Sequence, residues 1–265
     1  MKKTVNPRFA AAALATAMLA GCATTGQNPN PSDPWEGFNR GVYKFNDTVD
    51  RGLFKPVAQA YDYVTPDPVQ SCVHNMFSNL GDVWGAANSM LQGRGHDAVN
   101  TLGRFLFNST MGLGGCIDVA SMNGANKIPN DFGTTLGVWG IGQGPYLVLP
   151  LLGPSTVRDG VGRVGDWAGN VVSVREIDNV RLRNSLWGLE VVDTRASLLD
   201  ATDTVDRVAL DPYSFVRDAY LQRRAAMVRG AKPGSDANLP DYSIDEDADA
   251  PAAAPAAAPV PAPAK

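Results

Sequence analysis

The residues best placed to do chemistry stand near the start of the chain. Leu19-Ala20-Gly21-Cys22 sets one apolar and two small residues before a cysteine. A thiol in that setting accepts a diacylglycerol, and the chain is then cut before Cys22. The preceding residues fit export. Lys2, Lys3 and Arg8 form a basic start. Phe9 to Ala20 is an Ala-rich apolar stretch, too short for a bilayer span of about 20 residues. The alternative is an ordinary secretory signal with an incidental cysteine. Ala23, where Asp would favour inner-membrane retention, favours the outer membrane. Each buried CH₂ of an acyl chain contributes about 0.8 kcal/mol, so two or three chains anchor firmly without a spanning helix. No later run of 18 apolar residues occurs.

Catalytic chemistry finds little support. The chain has two histidines, His74 and His96, and neither belongs to a His-x-x-x-His or Cys-x-x-Cys spacing. There is no Gly-x-Ser-x-Gly elbow. Both histidines read as surface or capping residues. Gly140-Ile-Gly-Gln-Gly144 has the glycines of a phosphate loop. It lacks the Lys-Ser/Thr that follows one, and Pro145 stands where a helix would open. The expectation is a non-enzyme with no metal and no cofactor.

The elements that carry these residues read as helices. Asp33-Pro34 has the form of a cap with proline in the first turn. Trp35, Phe38, Val42, Phe45 and Val49 then recur at helical steps, ending near Gly52. Lys55 to Tyr63 reads as a short helical or irregular link. Helices follow over Val69–Leu91 and His96–Met111, with a short one opening near Ile117. Further helices are expected over Pro154–Trp167, Asn179–Arg195, Ser197–Val208 and Tyr213–Arg229. In the last, Tyr213, Val216, Tyr220 and Met227 share one side, with Arg217, Arg223 and Arg224 elsewhere.

Between Phe132 and Gly169 the pattern breaks, because frequent glycine is poor for helix interiors. Tyr146 to Leu149 has the residues of a strand, but Pro145 and Pro150 bracket it, and the stretch reads as a hairpin-like or extended loop. Its large apolar residues Trp139, Ile141, Tyr146, Leu147, Val148 and Leu149 have two readings. They are buried core, or they are a surface that meets lipid.

Composition sets the boundaries. Residues 1–21 are the signal, 22–32 a lipidated polar tether and 33–230 one sizeable domain. Residues 231–265 turn acidic and then almost purely Ala and Pro, a composition too poor in apolar bulk to fold, or a semi-rigid spacer. The domain carries 18 Lys and Arg against 21 Asp and Glu, a balance of −3 with no basic block. A nucleic-acid partner has no electrostatic support.

Several motifs in series resemble the VacJ/MlaA lipoproteins. They include Asp33-Pro-Trp-Glu-Gly-Phe-Asn-Arg40, Tyr43-Lys-Phe-Asn46, Phe77-Ser-Asn-Leu80 and Arg104-Phe-Leu-Phe-Asn108. Further on come Asp131-Phe-Gly-Thr-Thr-Leu-Gly137, Gly144-Pro-Tyr-Leu-Val-Leu-Pro150, Ser155-Thr-Val-Arg-Asp159 and Asp211-Pro-Tyr213. The match runs from Asp33 to Arg229. The resemblance implies an all-α, ring-like single domain of amphipathic helices in the inner leaflet of the outer membrane. Its Gly-rich apolar loop or hairpin would line a central channel, with Trp139 to Leu152 as wall or gate. It implies phospholipid as cargo, drawn from the outer leaflet. A trimeric porin is an implied partner. A soluble periplasmic carrier would pass the lipid to an inner-membrane ABC transporter. A structural lipoprotein that scaffolds porins or cell wall is the alternative.

The family leaves the pairing of Cys72 and Cys116 unsupported. An oxidising compartment favours a disulfide, and two buried thiols are the other outcome. Alkylation of the unreduced mature protein distinguishes them. The disulfide predicts no labelled thiol, and two labelled thiols exclude it.

Overall fold

The computed structural model describes residues 30–170 and 173–230. The signal, the tether with Cys22 and the Ala/Pro tail lie outside the described residues.

The first helix, α1 (Glu36–Val49), runs through a π-turn at Asp50–Phe54 into α2 (Lys55–Val64). The chain therefore continues past Gly52, where the apolar pattern predicts an end. The wider turn falls just before Pro56, which supplies no N–H and whose ring crowds the preceding turn. Asp33 does not cap this helix. The N-cap position is Trp35, and the Asp33 side chain is buried instead. Tertiary donors outcompete the local cap.

Next come α3 (Asp67–Leu91), α4 (Gly95–Thr110) and the single turn α5 (Val119–Met122). A helix that the glycine content hides follows, α6 (Phe132–Val138), capped by Asp131 accepting from Thr134 N at 2.7 Å. Strands β1 (Tyr146–Leu149) and β2 (Gly153–Thr156) pair antiparallel, with Leu147 opposite Ser155. Of the hairpin-like or extended loop expected here, the structure forms the hairpin. Its second strand takes residues that read as the start of a helix. Helix α7 (Val157–Gly169) begins only after Thr156, whose side chain accepts from Asp159 N. A 3₁₀ strap (Val174–Glu176) leads to α8 (Val180–Ala196), α9 (Leu199–Val208) and α10 (Pro212–Arg229). Among the described residues, no helix is long and apolar enough to cross a membrane.

The packing partners close a circuit. Helix α2 meets α8, α8 meets α3, α3 meets α6, and α6 meets α7. Helix α7 meets β2, and β1 returns the circuit to α1, while α10 packs on β2 and α6. The mostly helical expectation is met, with the two-stranded hairpin as one segment of the circuit.

Two devices hold that hairpin. Asn39 and Asn46 lie seven residues apart, two turns along α1. Asn39 donates to Tyr146 O at 3.0 Å and accepts from Val148 N at 2.9 Å. Asn46 does the same for Leu149 O at 3.0 Å and Leu151 N at 2.8 Å. Two side-chain amides thus satisfy a strand edge as a third strand would. On the other flank, α7 approaches its neighbours through a glycine stripe. A methyl group added at Gly162 would meet Gly133 Cα at 2.4 Å. At Gly165 it would meet the Phe132 ring at 2.3 Å, and at Gly169 the Trp84 ring at 2.1 Å.

These contacts make a paired prediction. Gly162→Ala forces α6 and α7 apart and costs about 1–3 kcal/mol, as overpacking does. Gly41→Ala, whose methyl meets nothing within 4 Å, stabilises α1 by about 0.5–1 kcal/mol. Urea unfolding of the detergent-solubilised protein reads both. Equal effects would contradict the close-packing role of the stripe.

Candidate functional site: an amphipathic cavity beside the hairpin

Burial in this domain is inverted. Among the described residues, nineteen polar or charged residues are buried against ten hydrophobic ones, five of them alanine. Helix α4 shows how this arises. Thr101, Arg104 and Asn108, at helical spacing, face inward, whereas Val99, Leu102, Leu106 and Phe107 are exposed. The periodicity is that of an ordinary amphipathic helix turned around.

The inward polar groups are satisfied by one another. Arg104 bonds Asp82 at 3.3 Å and Asp118 at 3.0 and 3.1 Å, joining α3, α4 and the cap of α5. Along α10, Tyr213, Arg217 and Arg224 are buried and Tyr220 is half-buried on the same stripe, so Arg217 and Arg224 share the face of Tyr213. The sequence reading had set both arginines apart from it. Arg217 reaches Asp33 at 3.4 Å, and Tyr213 OH donates to the same carboxylate. Asn39 also donates to Asp33, at 2.8 Å. Arg224 lies between Asp131 and Asp159, 2.9 Å from each, while Tyr220 OH donates to Asp159 at 2.8 Å. Burial by itself would raise the Asp131 and Asp159 carboxyls. The Arg224 guanidinium outweighs it and holds both below the usual carboxylate range.

Beside this polar framework lies a cavity of about 830 Å³. Leu147, Leu149 and Leu152 of the hairpin form one wall, and Val157, Val161, Val164 and Trp167 of α7 another. Arg163, Asp166, Arg175 and Glu190 add charge to the lining. A second cavity of about 370 Å³ touches the opposite face of the hairpin at Val148 and Leu151. Strand alternation produces this split, because successive side chains point to opposite faces.

The six hairpin-region candidates therefore separate. Leu147 and Leu149 line the large cavity. Tyr146 is fully buried in an aromatic cluster with Tyr213 and Tyr220, and Val148 packs beside it. Trp139 and Ile141 are exposed and line neither of these cavities. Trp139 donates Nε1 to Leu91 O at 2.9 Å and stands edge-on to Phe132. The α7 valines and Trp167 are the lining residues that sequence reasoning missed. Their spacing along α7 was the available signal. Cys72 Sγ and Cys116 Sγ are joined at 2.10 Å. His74 Nδ1 lies 3.0 Å from Asp193, and His96 is exposed on α4. Cys22 lies outside the described residues.

The Arg224 network fixes a pH dependence. A carboxylate whose pKa is lower folded than unfolded stabilises fully above its unfolded value of about 4. That contribution is lost as pH falls through the folded value. Arg224→Met removes the counter-charge and costs about 3–5 kcal/mol at pH 7. In the variant the bare buried carboxyls take up protons more readily, so lowering the pH from about 7 to 5 recovers part of the loss. Urea midpoints at the two pH values test this. A deficit that is unchanged between them would contradict the pairing.

Comparison with known proteins places this geometry. A family model described as MlaA lipoprotein matches residues 31–227. The intermembrane phospholipid transport system lipoprotein MlaA of Escherichia coli is 37% identical over 245 residues, covering 91% of this chain and 96% of that protein. The protein of the same description from Haemophilus influenzae is 32% identical over 251 residues, covering 89% and 96%. A solved structure described as the structural basis for maintenance of bacterial outer membrane lipid asymmetry matches with a TM-score of 0.63 and 37% identity. It covers 74% of this chain and 99% of that one. The helical domain with its polar interior and hairpin thus belongs to the MlaA lipoprotein family.

Proposed function

We propose that the chain is an outer-membrane lipoprotein of intermembrane phospholipid transport. It is anchored through acylated Cys22 on the periplasmic side. It withdraws mislocalised phospholipids from the outer leaflet and passes them through its amphipathic cavity to a soluble periplasmic carrier. That carrier serves an inner-membrane ABC transporter, and a trimeric porin is the membrane partner. The role is transport, not catalysis, and direction comes from the downstream partners.

The observation that carries this reading is the inverted burial around an amphipathic cavity. A phospholipid crosses poorly unaided because its head group loses hydrogen bonds in apolar surroundings, at several kcal/mol per group. A passage whose lining mixes charged side chains with leucine and valine supplies both environments. The exposed apolar faces of α4 and its neighbours meet acyl chains in the leaflet. In water they would be a large liability. The scaffold alternative has less support. It requires the Trp139–Leu152 stretch to be solid core, whereas Leu147 and Leu149 border open volume.

Leu147→Asp places a charge on the lipid path at a half-buried site. It is expected to raise outer-leaflet phospholipid toward the level of a gene deletion, with Leu147→Met close to wild type. Cys22→Ala is expected to move the protein out of the membrane fraction. Unchanged outer-leaflet phospholipid in both the deletion and Leu147→Asp would sink the transport reading.

A further inference from the structure

The charges that this fold buries deepest have counter-charges at hand. Asp33 has Arg217, Asp82 has Arg104, and Asp159 has Arg224. The walls of the large cavity depart from that pattern. Arg163, Asp166, Arg175 and Glu190 all line it, and none of the four makes an ion pair among the described residues.

Two of them are nevertheless held in place. Arg163 donates to the carbonyls of Leu152 and Pro154 at 3.0 and 3.2 Å, which fixes the guanidinium and leaves its charge uncompensated. Asp166 accepts from Trp84 Nε1 and Phe132 N, each at 2.7 Å, through Oδ1 alone. Its second oxygen keeps its acceptor capacity. Glu190 is half-buried on α8, across the cavity from α7. Burial pushes both carboxyls up, and at Glu190 it outweighs the attraction of Arg175.

Behind the Val174–Glu176 strap lies a further cavity of about 430 Å³. Its walls are almost wholly apolar, with Val73, Met76, Phe77 and Leu80 of α3 facing Leu186 and Leu189 of α8. Ser173 and Val174 line this cavity and the large one alike. A charged compartment and an apolar one therefore meet at a single strap. Two cations and two anions that make no direct ion pair complement a molecule that carries both signs. The adjoining apolar volume complements a hydrocarbon chain.

We infer that the large cavity is a head-group site selective for zwitterionic glycerophospholipids bearing an ammonium. The phosphate lies on Arg163 and Arg175, and the ammonium on Asp166 and Glu190. One acyl chain occupies the apolar pocket behind the strap. This inference rests on the transport reading and specifies its substrate class.

The test uses the full-length lipidated protein in detergent, offered equal phosphatidylethanolamine and phosphatidylglycerol. Retained lipid is read by native mass spectrometry. Wild type is expected to hold phosphatidylethanolamine about tenfold over phosphatidylglycerol, the scale of one charge-assisted hydrogen bond. The double variant Asp166→Asn with Glu190→Gln is expected to bring that ratio near one by losing phosphatidylethanolamine. Asn keeps the oxygen that accepts from Trp84 and Phe132, so an unchanged thermal midpoint separates lost recognition from lost fold. Leu189→Trp fills the apolar pocket and lowers both lipids without changing their ratio. Equal retention by wild type, or a ratio that the double variant leaves intact, overturns the head-group assignment. If wild type holds both lipids equally and Leu147→Asp loses both, the transport reading stands without it. If wild type holds neither, the transport reading falls as well.

Discussion

The guanidinium of Arg224 sits between two carboxylates, Asp131 at the start of α6 and Asp159 in the first turn of α7. Three helices meet on that one cation. Tyr220, one turn earlier on α10, donates to Asp159, and Arg217 extends the ladder to Asp33 and so to α1. A buried ion pair adds little net stability over a well-packed apolar pair, but losing one partner is costly. Its use here is specification. Each member has its oxygen or nitrogen partners in one arrangement of the helices, and other arrangements strand a charge.

That constraint matters more in lipid than in water. Between helices bathed in acyl chains there is little hydrophobic drive to associate, because the surroundings are as apolar as leucine. Close backbone approach and polar contacts remain. The domain relies on both. Gly162, Gly165 and Gly169 bring α7 against α6 and α3. The Arg104 and Arg224 clusters hold the interior, and Asn39 and Asn46 satisfy the hairpin edge. On the proposed placement in a leaflet, the same polar interior frames the passage for a head group while the outer faces stay apolar.

Much of the helical outline was legible from period alone. The spans of α3, α4, α8 and α10 agree with the apolar and capping signals to within a few residues. The hairpin at Tyr146–Leu149 was legible only as a hairpin-like or extended loop, because the bracketing prolines argued against a strand. Helix α6 was not, because Gly133 and Gly137 read locally as helix breakers. Their positions answer to Arg224, Asp159, Arg158 and Val228, which no local signal reveals. Asp33 was legible as a cap residue and serves instead as the acceptor for Asn39, Tyr213 and Arg217, partners as far as 184 residues away.

By itself the sequence determined the lipidation motif, the order and period of the helices, and the lack of a recognisable catalytic constellation. These are local properties, written in neighbouring residue types. Tertiary structure decided which side of each helix faces inward. A 3.6-residue period shows that Thr101, Arg104 and Asn108 share a face, but not whether that face meets protein or surroundings. In water the apolar stripe goes inside, and here the polar stripe does, because its partners Asp82 and Asp118 lie on other segments. The same holds for the cavity. Leu147 and Leu149 differ from Tyr146 and Val148 only in strand parity, and the packing of β1 against α1 and α10 assigned one parity to the core and the smaller cavity and the other to the large cavity.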